Sequence, residues 1–315
     1  TTIQQINNDL RSNQKMFRLL QGDVGSGKTI VALISSLNVI SSGFQVGFMA
    51  PTAILAKQHY DLAKKLFSTK INISLLTSKT EYSDRKKILK GLSDNKIDIL
   101  FGTHSLFQEK IKYKNLGLIV IDEQHKFGVK QRKKLSDKGG SNCDVLVMSA
   151  TPIPRTMIMT IFGDMDTSII KNKPKYRKEI KTYSKLDNKI NEVILFIKKK
   201  IITGNQVFWV CPLIEESKKV DHQSSVKRYE DLKKIFGNRI GLLHGSLSKD
   251  SKDNILSKFL NKEIDILVST TVIEVGIDFP NANIIIIENA NKFGLSQLHQ
   301  LRGRVGRGIK DSYCI

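Results

Sequence analysis

With 315 residues, of which 40% are hydrophobic and 26% charged, the chain is long enough for about two domains and too apolar to be disordered, and a disulfide-stapled miniprotein is excluded. Its 51 basic residues outnumber its 30 acidic residues by 21, which favours a polyanionic partner, nucleic acid before a membrane surface, and salt-sensitive binding. The excess is mostly lysine spread evenly along the chain, so a biased genome composition is the alternative explanation.

In the first half of the chain, short apolar runs alternate with amphipathic stretches. Continuous apolar strands separated by helices are typical of a parallel sheet covered on both faces. We therefore predict an α/β domain over residues 1–172. Its strands are expected at 18–21, 45–49, 73–76, 98–101, 116–121 and 145–148, and its helices at 29–40, 53–67 and 83–91.

A lysine- and proline-containing stretch at 171–178 is predicted to be a hinge, after which the alternation restarts. This predicts a second α/β domain over residues 173–315, without an obvious internal sequence repeat. The chain begins without Met and stops within a predicted strand, so we expect a fragment of a longer protein. The expected strands are 182–184, 206–210, 241–243, 264–269 and 283–287, and the expected helices are 188–202, 219–236, 250–260 and 296–301.

The cysteines and the hydropathy of the chain indicate where the protein works. Cys143, Cys211 and Cys314 stand far apart without metal-ligand spacing, so we predict reduced thiols in the core. No apolar run approaches the roughly 18 residues of a membrane span, and the first residues lack a basic-then-apolar signal pattern. We therefore expect a cytoplasmic protein.

A phosphate-binding loop of the form G-x-x-x-x-G-K-[ST] follows the first predicted strand and precedes a helix, the context that supports the motif. Its glycines let backbone N–H groups surround phosphate oxygens at a helix N-terminus. Lys28 is expected to bind the β- and γ-phosphates of ATP, and Thr29 to offer its hydroxyl to Mg²⁺. The loop consists of Gly22, Asp23, Val24, Gly25, Ser26, Gly27, Lys28 and Thr29.

Two acidic residues, Asp122 and Glu123, follow the predicted strand at 116–121. Carboxylates at the carboxyl end of a parallel strand lie where such sheets bind ligands. We expect Asp122 to hold Mg²⁺ through water and Glu123 to polarise the attacking water. A pair that only caps the next helix is the alternative, and the phosphate loop upstream favours the catalytic interpretation.

The third motif is an arginine segment near the end of the chain. If the segment is helical, Gln300, Arg304 and Arg307 lie on one face, at i, i+4 and i+7. Two guanidinium groups suit the charge of a phosphoryl-transfer transition state, whereas a solvated basic helix or a DNA phosphate contact is the alternative. Because the second domain has no phosphate loop of its own, we expect one nucleotide to be shared by both domains.

The order of these motifs resembles that of superfamily 2 helicases and, among them, the RecG family of bacterial branched-DNA helicases. The transcription-repair coupling factors are the nearest other family, similar through 152–156 and the arginine segment. Ser26, Gln124 and the Trp-Val-Cys-Pro run at 209–212 favour RecG. The resemblance spans nearly the whole chain, on segments 22–29, 122–129, 149–156, 209–217, 270–278 and 297–308.

This resemblance implies two tandem RecA-like domains and a monomeric, ATP- and Mg²⁺-dependent motor that remodels forks and Holliday junctions. It implies that Gln124 and His125 sense the γ-phosphate and that Ser149 and Thr151 couple the ATP and DNA sites. Branched double-stranded DNA would be held by its backbone without sequence specificity. The implied DNA contacts are Pro51, Thr52, Thr103, His104, His244, Gly245, Thr270 and Thr271, although a threonine at a strand end is more often a helix cap.

Other interpretations remain open at the level of sequence. The chain fits a coupling-factor-type double-strand DNA translocase that acts on a protein partner, or an ATP-driven nucleic-acid clamp that does not unwind. The sequence lacks the wedge and the hook of the RecG family, so we expect slow hydrolysis and little preference for branched DNA. His59, His222 and His299 are predicted to be packing or surface residues, and Trp209 a core or cleft-wall residue.

Overall fold

The computed structural model describes residues 1–23, 25–67, 70–108, 111–122, 143–150, 165–171, 178–212, 218–270, 277, 279–306 and 310–315. The chain divides into two compact units, Thr1–Pro174 and Lys175–Ile315. Both are α/β with parallel sheets, so the predicted fold class is confirmed.

The predicted boundary at 172/173 falls in 172–177, outside the described residues, and stays a prediction. Among the described residues, no helix has the length and apolar character to cross a membrane.

The described part of the first unit consists of strands and helices in alternation around one sheet. The elements in chain order are α1 (Thr2–Leu10), β1 (Phe17–Gly22), α2 (Lys28–Ser41), β2 (Gln45–Met49), α3 (Ala53–Leu66), β3 (Ile73–Leu76), α4 (Tyr82–Ser93), β4 (Ile99–Gly102), β5 (Leu116–Asp122), β6 (Asp144–Ser149) and β7 (Asp166–Ile170). The parallel strands lie in the order β3-β4-β2-β5-β6-β1-β7.

The sheet of the first unit buries apolar side chains on both faces. Phe48 and Val120 belong to one core cluster, whereas Met49 and Ile121, their neighbours along the strands, belong to the other. β2 is therefore buried at every position, because successive side chains point to opposite and equally covered faces. This two-sided burial explains why the sequence shows continuous apolar runs at the strands.

The second unit repeats this architecture with a smaller sheet. Its described elements are β8 (Ile180–Thr182), α5 (Ile190–Ile202), β9 (Gln206–Val210), α6 (Lys218–Phe236), β10 (Ile240–Leu243), α7 (Lys249–Leu260), β11 (Ile266–Ser269), β12 (Ala282–Ile287), α8 (Leu295–Arg302) and β13 (Ser312–Cys314). The strands are parallel in the order β10-β11-β9-β12-β13-β8.

Two elements of the first unit are absent from the sequence prediction. α1 begins with a capping box, in which the Thr1 side chain accepts from the Gln4 backbone and the Gln4 side chain accepts from the Thr1 amine. β7 pairs with β1 at the edge of the sheet and is exposed at most positions, so it lacks the apolar run that marks the other strands. The first strand of the second unit was also misplaced, since β8 ends at Thr182, where the predicted strand begins.

A buried glutamine begins the second strand of each unit: Gln45 in β2 and Gln206 in β9. Each side chain donates hydrogen bonds to the end of a helix and to the loop that follows it. In both units that loop leads into the same four-residue sequence, Ile-Asp-Ile-Leu, at 97–100 and 264–267. The sequence shows no obvious internal repeat because the two units share only these four consecutive residues here. The Nε2 donates to the carbonyl oxygens of Leu92 (3.1 Å) and Ile97 (2.8 Å) in the first unit, and of Phe259 (2.6 Å) and Ile264 (2.7 Å) in the second.

Candidate functional site

The phosphate loop connects the end of β1 to the start of α2. Gly25 and Gly27 have φ values of +76° and +95°, a left-handed conformation that favours glycine. Gly27 is the N-cap of α2 and supplies no side-chain cap. An uncapped helix N-terminus combines unpaired N–H groups with a favourable dipole, which is the arrangement that binds phosphate.

The polar side chains of the loop fit a triphosphate. The Lys28 ammonium is buried and donates to the carbonyl oxygens of Gly22 (2.7 Å) and Asp23 (3.0 Å). The Ser26 Oγ is buried, and within the described part of the chain it has no hydrogen-bond partner. An unsatisfied buried hydroxyl costs about 1–3 kcal/mol, so this atom points to a ligand that would satisfy it. Val24 lies outside the described residues.

Asp122 ends β5 at the same edge of the sheet as the phosphate loop. β6 lies between β5 and β1, and the register pairs Asp122 with Met148 and Gln21 with Ser149. Asp122, Ser149 and Gly22 therefore stand at the carboxyl ends of three adjacent strands.

A carboxylate at Asp122 and a hydroxyl at Thr29, in the first turn of α2, are oxygen donors that fit Mg²⁺. Mg²⁺ commonly takes one or two protein oxygens together with phosphates and waters. Searching the described ranges finds no group of three or more His, Cys, Asp and Glu residues that could cage a metal. The donor set thus suits an ion that takes its remaining ligands from nucleotide and solvent.

A contact that the sequence analysis missed reaches Asp122 from α3. His59 Nε2 and Asp122 Oδ2 are 2.8 Å apart, and the two side chains are 8% and 9% exposed. The prediction of His59 as a packing or surface residue is confirmed as packing, but it missed the hydrogen bond between the buried ring and Asp122, a predicted metal ligand. Helical spacing carried a weak signal, since Leu55 and Ala63, four residues to either side, are buried on the same face.

The predicted DNA contacts of the first unit follow β2 and β4, which are neighbours in the sheet. Thr52 is buried and acts as the N-cap of α3, its Oγ1 accepting from the Leu55 N–H at 3.2 Å. Thr103 is buried with its Oγ1 3.3 Å from the Ser105 Oγ, whereas His104 is exposed and Pro51 is half-buried. Of these residues, His104 is the most open to a ligand.

The predicted DNA contacts of the second unit follow the adjacent strands β10 and β11. His244 is half-buried with its Nδ1 2.7 Å from the Ser246 Oγ, and Gly245 is exposed. Thr270 is buried and its N–H donates to the Leu243 carbonyl at 3.3 Å. Thr271 lies outside the described residues.

The arginine segment does not form the helical face that its spacing predicts. α8 ends at Arg302 with Gly303 as its C-cap, so Gln300 is helical and exposed, and Arg304 is not helical and only 5% exposed. Gly303, the C-cap, keeps a right-handed φ of −67°, and Gly306 takes a left-handed φ of +77°, a conformation that favours glycine and does not continue a helix. Arg307, Glu123, Gln124 and His125 lie outside the described residues, and their roles stay predictions.

Gly306 brings the arginine segment against β8. A Cβ at this position would lie 2.9 Å from the Ile180 Cγ1, closer than side chains tolerate. The backbone at Gly306 thus approaches Ile180 too closely for a side chain, whereas a Cβ at Gly303 would meet nothing nearer than 3.4 Å.

The remaining predictions concern the core. Trp209 is fully buried in β9 and its Nε1 donates to the Glu288 Oε1 at 2.8 Å, which makes it a core residue. Glu288 also pairs with Arg228, and both side chains are half-buried, a polar cluster that the sequence did not predict. Cys143, Cys211 and Cys314 are free and buried, as predicted.

Comparison with known proteins gives matches for both units. Residues 1–160 match the DEAD/DEAH box helicase family, and residues 187–308 match the helicase conserved C-terminal domain. The ATP-dependent DNA helicase RecG of Thermotoga maritima is 51% identical over 314 residues, which cover 99% of this chain and 40% of that protein. RecG of Bacillus subtilis is 49% identical over 316 residues, which cover 99% of this chain and 46% of that protein. The chain thus spans less than half the length of these relatives.

Solved structures agree with these matches. A structure of RecG bound to a three-way DNA junction superposes with a TM-score of 0.86 at 47% identity, covering 99% of this chain and 41% of that one. Dbp5 of S. cerevisiae, bound to RNA and ADP BeF3, superposes with a TM-score of 0.71 at 19% identity, covering 100% of this chain and 82% of that one. The second likeness supports the fold alone, and the first extends to the sequence.

Proposed function

Because this chain belongs to the DEAD/DEAH box helicase family, we propose that it is the motor of an ATP-dependent DNA helicase that remodels branched DNA, such as forks and Holliday junctions. The observation that carries the proposal is the sheet edge where Gly22, Asp122 and Ser149 meet, in a chain about half identical to RecG over 99% of its length. In this proposal residues 1–172 bind ATP and residues 173–315 form the helicase C-terminal domain.

The first unit supplies the groups that bind and activate the triphosphate. Lys28 and the N-terminus of α2 hold the β- and γ-phosphates, and Ser26 donates to them the hydroxyl that has no partner among the described residues. Thr29 and Asp122 hold Mg²⁺, which when bound neutralises charge on the phosphate oxygens. Glu123 orients the attacking water, and Gln124 and His125 sense the γ-phosphate.

The second unit supplies positive charge for the transition state. In this proposal Arg304 and Arg307, together with Gln300, stabilise the charge that develops on the transferred phosphoryl group. Guanidinium groups suit this task because they stay protonated and present several donors in a fixed plane.

DNA is held through its backbone, without sequence specificity, by the residues that follow β2, β4, β10 and β11. The net charge of +21 supports this partner, and the RecG structure bound to a three-way junction supports the branched form. Hydroxyl and backbone groups at these positions contact sugar and phosphate and carry no sequence information. A monomeric state and a cytoplasmic location are part of the same proposal.

Steady-state ATP hydrolysis with linear, forked and four-way DNA at matched salt tests the proposal. We expect slow hydrolysis that DNA stimulates with little preference for branched forms, and loss of hydrolysis in Lys28→Ala but not in the exposed control Lys90→Ala. Arg307→Ala should nearly abolish turnover and spare ATP binding. Hydrolysis that neither DNA nor Lys28→Ala changes would contradict the proposal. In the full-length protein, DNA-stimulated hydrolysis without strand displacement on a fork would indicate a clamp instead.

A further inference from the structure

The contact between His59 and Asp122 has a defined chemistry. An ionised carboxylate only accepts hydrogen bonds, so His59 Nε2 carries the proton and donates it to Asp122 Oδ2 across 2.8 Å. Both side chains are less than a tenth exposed, so water competes little for the bond. One oxygen of the carboxylate is thereby committed, and rotation of the group about its last bond is restricted.

The position of the imidazole is fixed by a ring contact and by the helix that carries it. The ring packs on Phe48, with ring centroids 5.0 Å apart and planes inclined by 51°. The helix that carries it, α3, is capped by Thr52, two turns before His59. The donor that reaches Asp122 is therefore part of the packed core, and its direction is set before any ligand binds.

Carboxylates that ligate metals are usually oriented by a hydrogen bond on the oxygen that faces away from the ion, and loss of such a partner typically costs 10–100-fold in metal affinity or activity. Asp122 is the carboxylate that ends β5 at the same edge of the sheet as the phosphate loop. We propose that His59 is a positioning residue of the magnesium site, which fixes the Asp122 carboxylate through Oδ2 and leaves Oδ1 for Mg²⁺ or its bound water. This inference rests on the proposed function.

Substitutions at His59 separate the hydrogen bond from the packing. His59→Leu removes the donor, and His59→Gln keeps an N–H donor on a side chain of similar reach. Tyr60→Leu is the matched control, because Tyr60 is the next residue of α3 and packs edge-on against Phe101, with centroids 6.1 Å apart. It perturbs the same helix without removing a partner of Asp122.

The measurement is Mn²⁺ binding, followed by the loss of the free-ion electron paramagnetic resonance signal, with a non-hydrolysable ATP analogue bound. We expect His59→Leu to raise the half-saturating Mn²⁺ concentration by about tenfold or more, and Tyr60→Leu to leave it within about twofold. His59→Gln should recover most of the affinity. Affinity for the analogue without metal should be unchanged in all three variants, since the described hydrogen bond of His59 goes to Asp122 and not to the phosphate loop.

The outcomes separate this inference from the proposed function. If the unsubstituted protein binds neither the analogue nor Mn²⁺, the proposed function fails. If it binds both, and His59→Leu binds Mn²⁺ as tightly as Tyr60→Leu does, the positioning role is overturned and the proposed function stands.

A second measurement uses the unsubstituted protein and does not depend on the folding of a variant. With the ATP analogue bound, Mg²⁺ should shift the His59 Nε2–H resonance in nitrogen-15 NMR spectra with the same half-saturation as Mg²⁺ binding. A resonance that stays in place while Mg²⁺ saturates the site overturns the inference.

Discussion

Gly306→Ala should weaken the second unit through two separable effects. At φ +77° an alanine costs about 1–2 kcal/mol more than glycine. Its Cβ would also lie 2.9 Å from Cγ1 and 3.2 Å from Cδ1 of Ile180 in β8, and overpacking of this kind costs about 1–3 kcal/mol. The free energy of unfolding of the unit should therefore fall by about 2–5 kcal/mol.

The assay is urea unfolding followed by the fluorescence of Trp209, the single tryptophan of the chain, which is buried in the second unit. In an Ile180→Ala background the clash is removed, so Gly306→Ala should then cost only about 1–2 kcal/mol. Gly303→Ala is the control, because its φ is −67° and its Cβ would meet ordinary contacts. An unchanged midpoint for Gly306→Ala, or the same loss in both backgrounds, would refute the reasoning.

Three further changes test other parts of the structure. Thr52→Ala removes the cap of α3 and should lower the free energy of unfolding in urea by about 1 kcal/mol, whereas Thr52→Ser should keep the cap and the stability. If Thr52→Ala weakens DNA binding and leaves stability unchanged, Thr52 is instead a DNA contact. Ser26→Ala removes a buried hydroxyl that has no hydrogen-bond partner among the described residues, so without nucleotide it should raise the free energy of unfolding, by as much as about 1–3 kcal/mol. It should also lower affinity for an ATP analogue, and a loss of stability would contradict this reasoning. Burial raises the pKa of the Cys143 thiol from 9.0 to about 12, so the folded state keeps a proton that the unfolded state releases. The free energy of unfolding should fall between pH 9 and pH 12, and this thiol contributes at most about 1.4 kcal/mol per pH unit to the fall. In urea unfolding curves recorded across that range, Cys143→Ala should show a smaller fall.

The fold could be predicted from the sequence where local pattern and burial agree. The strands at Gln45–Met49 and Gln206–Val210 have the predicted bounds, because they are buried at every position and read as continuous apolar runs. β7 could not be predicted in this way, because an edge strand with exposed positions has no such run. α1 was predictable in principle, since its capping box is a local signal.

The candidate site was predictable as far as its motifs are local. The phosphate loop is one continuous segment and Asp122 follows an apolar strand, so spacing alone identifies both. The bond from His59 to Asp122 joins residues 63 positions apart, and no local pattern reports it. The arginine segment shows the opposite failure, since the spacing of Gln300, Arg304 and Arg307 predicts one helical face, whereas the helix ends at Arg302 and Gly306 takes a left-handed conformation.

The paired glutamines of β2 and β9 have a practical consequence. In each half of the chain, the side-chain amide of one glutamine at the start of a strand donates two buried hydrogen bonds to backbone carbonyl oxygens. Replacing Gln45 by leucine would remove the amide donor to the Leu92 and Ile97 carbonyl oxygens, and the Oε1 acceptor of two backbone N–H groups, in the first half only. Replacing Gln206 by leucine would remove the amide donor to the Phe259 and Ile264 carbonyl oxygens in the second half only. The same residue type thus offers a way to melt either half selectively and to measure how much each half depends on its neighbour for folding.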